Sequence, residues 1–203
     1  PRFAIGVVGM RWLSAPDSWW EDLAREIVLW EQAGCLSPRV LFVAGSRRRF
    51  ANHLADALRG WETKWPAPPR KAGEASAIHG FRAPYEMGDG STAGLVTPEG
   101  TAWTVAWDEA PSLDFGPPAR AIRITARLPR SPMIDLLQSR RGEIQGMGTA
   151  HLASHEIGWR RTGELAGIPR VVPLTGIQDP PAGWRADGQS GLAELLAWKP
   201  RSR

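Results

Sequence analysis

The first third of the chain alternates between two hydrophobic periods, and that alternation limits the fold more than any other feature. Phe3 to Val8 is a continuous short apolar run closed by Gly9, the pattern of a buried strand. Ser18 to Gln32 repeats apolar residues at helical spacing, with Leu23, Ile27 and Trp30 on one face. Its opening Ser18-Trp19-Trp20-Glu21 has the spacing of a capping box. A second buried strand follows at Val40-Leu41-Phe42-Val43 and stops at Gly45-Ser46. Ser46 or a neighbour then caps a helix from Arg47 to about Trp61, whose face is Phe50, Leu54, Leu58 and Trp61, and Pro66 to Pro69 closes the unit. Strand, helix, strand, helix is a βαβα order, and it predicts an α/β fold with a mostly parallel sheet flanked by helices.

The pattern loosens further on. Gly88-Asp89-Gly90-Ser91 and Pro98-Glu99-Gly100 are turn clusters, with a strand segment from Ala93 to Thr97 between them. Trp103 to Trp107 alternates like a strand, and Ala121 to Thr125 is another, introduced by Pro117-Pro118. Met133 to Gln138 and His151 to Leu165 read as helices, Val171 to Leu174 as a late strand, and Leu192 to Trp198 as a final short helix. There is no internal repeat and no linker long enough to part independent domains, so residues 1–203 read as one domain.

Composition narrows the partners. At 42% hydrophobic, 203 residues can bury a substantial core, yet no apolar run reaches the roughly 18 residues of a membrane span. The net charge of +4 is carried almost wholly by arginine. Its densest cluster, Arg47-Arg48-Arg49, opens a helix rather than forming a basic stripe, so nucleic acid is not an expected partner. The chain does not start with methionine, which leads us to expect an upstream segment. A single cysteine cannot form an internal disulfide, which points to a reducing cytoplasm. His151 and His155 stand four residues apart on one expected helical face, but Glu156 points elsewhere. Zinc sites need three or four converging ligands, so these read as surface or capping histidines and no metal is expected. Of the eleven tryptophans, Trp30, Trp61 and Trp159 fit helix faces and are expected in the core, and Trp19 and Trp20 are expected to staple a helix start.

The lone thiol lies at the break between the first helix and the second strand, in Gly34-Cys35-Leu36-Ser37-Pro38. Thiolates are strong nucleophiles and good leaving groups, and a turn beyond a helix has backbone N–H groups to offer a developing oxyanion. Pro38 has no N–H, which leaves Cys35, Leu36 or Ser37 as donors.

Several stretches together resemble the acyl-CoA reductase family of the aldehyde dehydrogenase superfamily, which includes the fatty-acid reductase subunit of bacterial bioluminescence systems. Trp30 to Pro38, followed by the strand Val40 to Val43, looks like that family's nucleophile segment. Ile168 to Trp184, continuing to Asp187-Gly188, resembles its closing signature. A weaker likeness runs through Trp103-Thr104-Val105, Pro117 to Ile124 and Gln145 to Gly148.

The resemblance implies an aldehyde-dehydrogenase-like catalytic domain with Cys35 as nucleophile. Leu36, Ser37, Gln178 and Trp184 are implied at the substrate pocket. It further implies reduction of a long-chain acyl-CoA or acyl-protein thioester to a fatty aldehyde, in a cytoplasmic homo-oligomer. NADPH would be bound mainly by an upstream domain, because no glycine-rich phosphate loop appears here. The superfamily's Glu-x-Phe-Gly-Pro cofactor contact is approached at Phe115-Gly116-Pro117, but Leu113 holds the glutamate position and Asp114 is at most a loose substitute. Glu21, Glu26 and Glu31 read as a solvated helix face, so no general base is assigned. Two rival readings are an enzyme oxidising an aldehyde through a thiohemiacetal and a non-catalytic assembly subunit.

Overall fold

In the computed structural model, residues 2–153, 158–182 and 184 are described. The expected helix Leu192–Trp198, and His155, Glu156 and Asp187-Gly188, lie outside them. Seven strands form one sheet: β1 (Phe3–Val8), β2 (Pro38–Val43), β3 (Ala93–Val96), β4 (Thr104–Asp108), β5 (Ala121–Ala126), β6 (Ile144–Ala150) and β7 (Val171–Pro173). Their order is β3-β4-β5-β2-β1-β6-β7. Only the β3–β4 pair is antiparallel, so the sheet is mostly parallel as the early alternation requires.

Burial on both faces explains the unbroken apolar runs of β1 and β2, which are buried at every residue. Successive β2 side chains alternate between two cores. Leu41 and Val43 meet α1 (Asp17–Val28) and α2 (Arg47–Lys64) through Leu23, Ile27, Phe50 and Leu54. Val40 and Phe42 meet α4 (Arg130–Gln138) and α5 (Trp159–Ala166) through Met133, Leu137 and Trp159. Ser46 caps α2 by accepting from the Arg49 N–H at 3.2 Å.

The structure corrects several expectations. α1 starts at Asp17 with Pro16 as its N-cap, so the Ser18–Glu21 capping box does not form. α1 also ends at Val28, and a short left-handed turn replaces its last expected residues. That reversal throws Trp30 outward to 73% exposure instead of into the core, while Trp159 is buried as expected. Glu26 is buried at 2% exposure and Glu31 is ion-paired, so the three glutamates are not one solvated face. His151 has φ of 51° and belongs to no helix; α5 begins only at Trp159. Among the described residues no cluster of metal-binding side chains occurs, and no helix is long and apolar enough to cross a membrane.

Two elements were not foreseen. α3 (Ala72–Glu86) contains Gly73, Gly80 and Pro84, which mask its helical period. Tertiary contacts hold it regardless: its buried Arg82 donates to Thr104 Oγ1 at 2.9 Å, Gly100 O at 2.7 Å and Trp103 O at 2.9 Å. β6 carries Gly146 and Gly148, residues that weaken a strand pattern and often mark close approach of another segment.

Candidate active site

Topology brings the amino ends of β1, β2 and β5 side by side, because β5 pairs with β2 and β2 with β1. The segment before each strand therefore meets the others at one edge of the sheet. Arg2 precedes β1, Cys35 precedes β2, and Phe115 to Pro118 precede β5. Together with Ala33, Arg39, Ala77 and Phe81 these residues line a groove of about 880 Å³. Open parallel sheets more often hold ligands at the carboxyl ends of their strands. Here the cysteine lies at the amino end.

The cysteine turn is closed by the Ser37 N–H, which donates to Gly34 O at 3.0 Å. That removes Ser37 from the expected oxyanion donors. Among the described residues the N–H groups of Cys35 and Leu36 have no such partner, and the Cys35 side chain is exposed. An exposed thiol beside two free amide donors suits attack on a carbonyl and stabilisation of the oxyanion that forms.

Of the other residues expected at the pocket, none belongs to the described lining of the groove. Leu36 is buried, and it lies where a Cβ on Gly146 would touch it. Ser37 is fully buried and donates its hydroxyl to Gln178 Oε1 at 2.6 Å. Gln178 in turn donates through Nε2 to the Glu26 backbone carbonyl. Trp184 is half-buried, with its backbone N–H on Pro181 O at 2.8 Å. Ser37 and Gln178 thus brace the cysteine turn from beneath.

Glu26 anchors this brace. Its Oε1 accepts from Gly176 N at 2.9 Å and its Oε2 from Gln178 N at 3.2 Å. Sequence periodicity put Glu26 on a helix and said nothing of the loop 150 residues away that it satisfies. Glu26→Ala should leave two partly buried N–H groups without acceptors and lower stability by about 2 kcal/mol, at the lower end of roughly 1–3 for each orphaned group. Glu26→Gln, which keeps an acceptor oxygen, should lose less; urea denaturation of both variants checks the ranking.

Arg39 joins the two walls. Its Nη1 lies 3.4 Å from Gln32 O, its Nη2 donates to Gly116 O, and its guanidinium carbon stands 4.8 Å from the Phe115 ring centre. Burial lowers its pKa to about 10. Gly116 has to be glycine, since a Cβ there would fall 2.7 Å from the Phe81 ring. Leu113 is buried in the core, and Asp114 is exposed with its Oδ2 3.9 Å from Arg123 Nη1.

Two further cavities continue the groove. One of about 310 Å³ shares Phe81 and Phe115 and is floored by Tyr85, Asp108 and Arg123. There Tyr85 donates to Asp108 Oδ2 at 3.0 Å, and burial pushes its phenol far above the ordinary value despite the opposing Arg123. The other, of about 490 Å³, shares Ala33, Ala77, Pro117 and Pro118 and reaches Pro68 to Lys71.

The sheet and its flanking helices have an aldehyde-dehydrogenase-like fold. Solved structures agree. The NAD-dependent aldehyde dehydrogenase of Burkholderia multivorans superposes with a TM-score of 0.60 at 13% identity, over 89% of this chain and 38% of its own. The methylmalonate-semialdehyde dehydrogenase of Oceanimonas doudoroffii gives 0.58 at 12% identity, over 89% and 40%. Aldehyde dehydrogenase 21 of Physcomitrella patens gives 0.57 at 10% identity, over 92% and 42%. The chain thus spans about two fifths of the length of these proteins. The acyl-CoA reductase (LuxC) family matches over residues 2–198, and the chain belongs to that family. No curated protein sequence matches it.

Proposed function

We propose that this chain is the cysteine-bearing catalytic portion of a reductase that converts a long-chain acyl thioester, on CoA or a carrier protein, into a fatty aldehyde. The observation that carries the reading is the exposed Cys35 on a turn with free N–H groups, in a groove large enough for an acyl thioester. The Cys35 sulfur attacks the acyl carbonyl carbon, and the Cys35 and Leu36 N–H groups receive the oxyanion. The carbon–sulfur bond to the carrier then breaks, releasing the carrier as a thiol and leaving an acyl-Cys35 thioester.

Phe81 and Phe115 line the groove, and their aromatic rings suit a flat cofactor ring. Phe115, Gly116 and Pro117 would hold a nicotinamide there. When bound, the reduced nicotinamide, proposed as NADPH from the family resemblance, supplies the hydride that releases the aldehyde and restores the thiol. Most of that cofactor is proposed to be held by an upstream domain.

Reduction is preferred over hydrolytic oxidation because the acyl-CoA reductase family matches over residues 2–198. Glu26 and Glu31, the carboxylates of the preceding helix and turn, are engaged by backbone N–H groups and arginines respectively. Neither is free to activate a water. Incubating the protein with a long-chain acyl-CoA should add one acyl mass, mapped to the Cys35 peptide. Acyl mass on another residue would sink the reading.

A further inference from the structure

We infer that Glu31 and Arg120 form a positioning pair that locks the left-handed turn ahead of Cys35 and thereby fixes where the thiol stands in the groove. The inference rests on the reading of Cys35 as the acyl acceptor. Trp30, Glu31 and Gln32 have φ of 56°, 51° and 58°. None is glycine, so each resists this conformation, and a run of three does not persist without outside restraint. Only Ala33 and Gly34 separate the run from Cys35, so the handedness of the turn decides the direction in which the sulfur is presented.

The restraint is electrostatic. Glu31 Oε1 accepts from Arg120 Nε at 2.8 Å and lies 2.6 Å from its Nη2, while Oε2 lies 2.7 Å from Arg70 Nη2. Arg120 is fully buried and cannot follow a moving turn, because its Nη1 is also held at 3.2 Å from Glu62 Oε2 and 3.0 Å from Trp65 O. Arg120 and Ala119 themselves have positive φ, 55° and 141°, directly after Pro117-Pro118, which line the same groove as Cys35. One ion pair therefore joins two strained segments beside the groove. Gln32 adds a local tie, its Nε2 donating to Pro38 O at 2.9 Å.

This division of partners separates positioning from bulk stability. Glu31→Gln leaves Arg120 paired with Glu62, so the fold should survive while the turn loses its clamp. Cys35 is the only cysteine, so a trifluoromethyl label on the thiol reports one site. Fluorine NMR should give one narrow line for the parent protein. Glu31→Gln and Arg120→Met should broaden or split that line, and Arg120→Lys should restore it in part, because an ammonium keeps the charge but not the fork. The same line at the same shift in Glu31→Gln, in protein folded by circular dichroism, overturns the inference. If Arg120→Met does not fold, Glu31→Gln and Arg120→Lys decide.

Acyl loading from a long-chain acyl-CoA, followed by intact mass, gives the second readout. In Glu31→Gln the saturated rate should fall about tenfold or more, while the half-saturating donor concentration stays put, as expected for misplacement of a reacting atom. An unchanged rate overturns the inference. If the parent protein takes no acyl group, the acyl-acceptor reading fails on its own, and the fluorine line still decides whether the pair locks the turn.

Discussion

Replacing Cys35 with serine is expected to abolish acyl loading while leaving the fold intact. The side chain is exposed, so the exchange of sulfur for oxygen disturbs no packing, and the melting temperature should hold. The chemistry has no substitute. A thiol is partly ionised near neutral pH and strongly nucleophilic, whereas a hydroxyl needs an adjacent base, and the described groove lining offers none. Loss of a covalent nucleophile costs on the order of 10⁶ in rate where it has been measured directly. As no other cysteine exists, residual loading cannot shift to a second thiol. Acyl transfer persisting in Cys35→Ser within about tenfold of the parent would show that the sulfur is not the acceptor.

The contrast between Cys35 and the residues around it shows what a sequence can disclose. The candidate nucleophile is legible because a thiol on a Gly-to-Pro turn between helix and strand is a local pattern. The parallel sheet was legible because β1 and β2 are buried on both faces, and that burial forces unbroken apolar runs. The rest of the site depends on contacts far apart in the chain. Arg120 reaches Glu31 across 89 positions, and Gln178 meets Ser37 across 141. No spacing rule encodes either. Trp30 was misread for a related reason: the heptad-like pattern of α1 continues past the point where the backbone turns left-handed. The ion pairs that hold that turn come from other elements. Family likeness places Gln178 and Ser37 at the pocket, and the hydrogen bond between them lies under the turn that carries Cys35.

Gly148→Val should cost about 3 kcal/mol of stability and slow acyl loading together, because Gly148 links the core to the cysteine turn. The residue lies in β6 opposite Gly6 of β1, and Leu174 packs over both glycines. A Cβ at position 148 would fall 2.7 Å from the Leu174 Cα and 2.6 Å from its Cδ1. Rotating the leucine side chain relieves only the second contact. The first needs a backbone shift, and Leu174 N is bonded to Thr149 O at 3.0 Å. Overpacking of this kind costs roughly 1–3 kcal/mol, at the upper end where backbone must move. Leu174 also begins the segment whose Gly176 and Gln178 N–H groups bond Glu26 and whose Gln178 side chain accepts from Ser37. Displacing it loosens the support of the turn that carries Cys35. Gly80→Ala is the control: it lies in α3 with open space around its Cβ and should gain up to about 1 kcal/mol by helix propensity. Denaturant midpoints and loading rates measured on both variants decide the matter. A Gly148→Val protein as stable as the parent would mean that Leu174 yields freely, and the proposed link from the sheet centre to the cysteine turn would be lost with it.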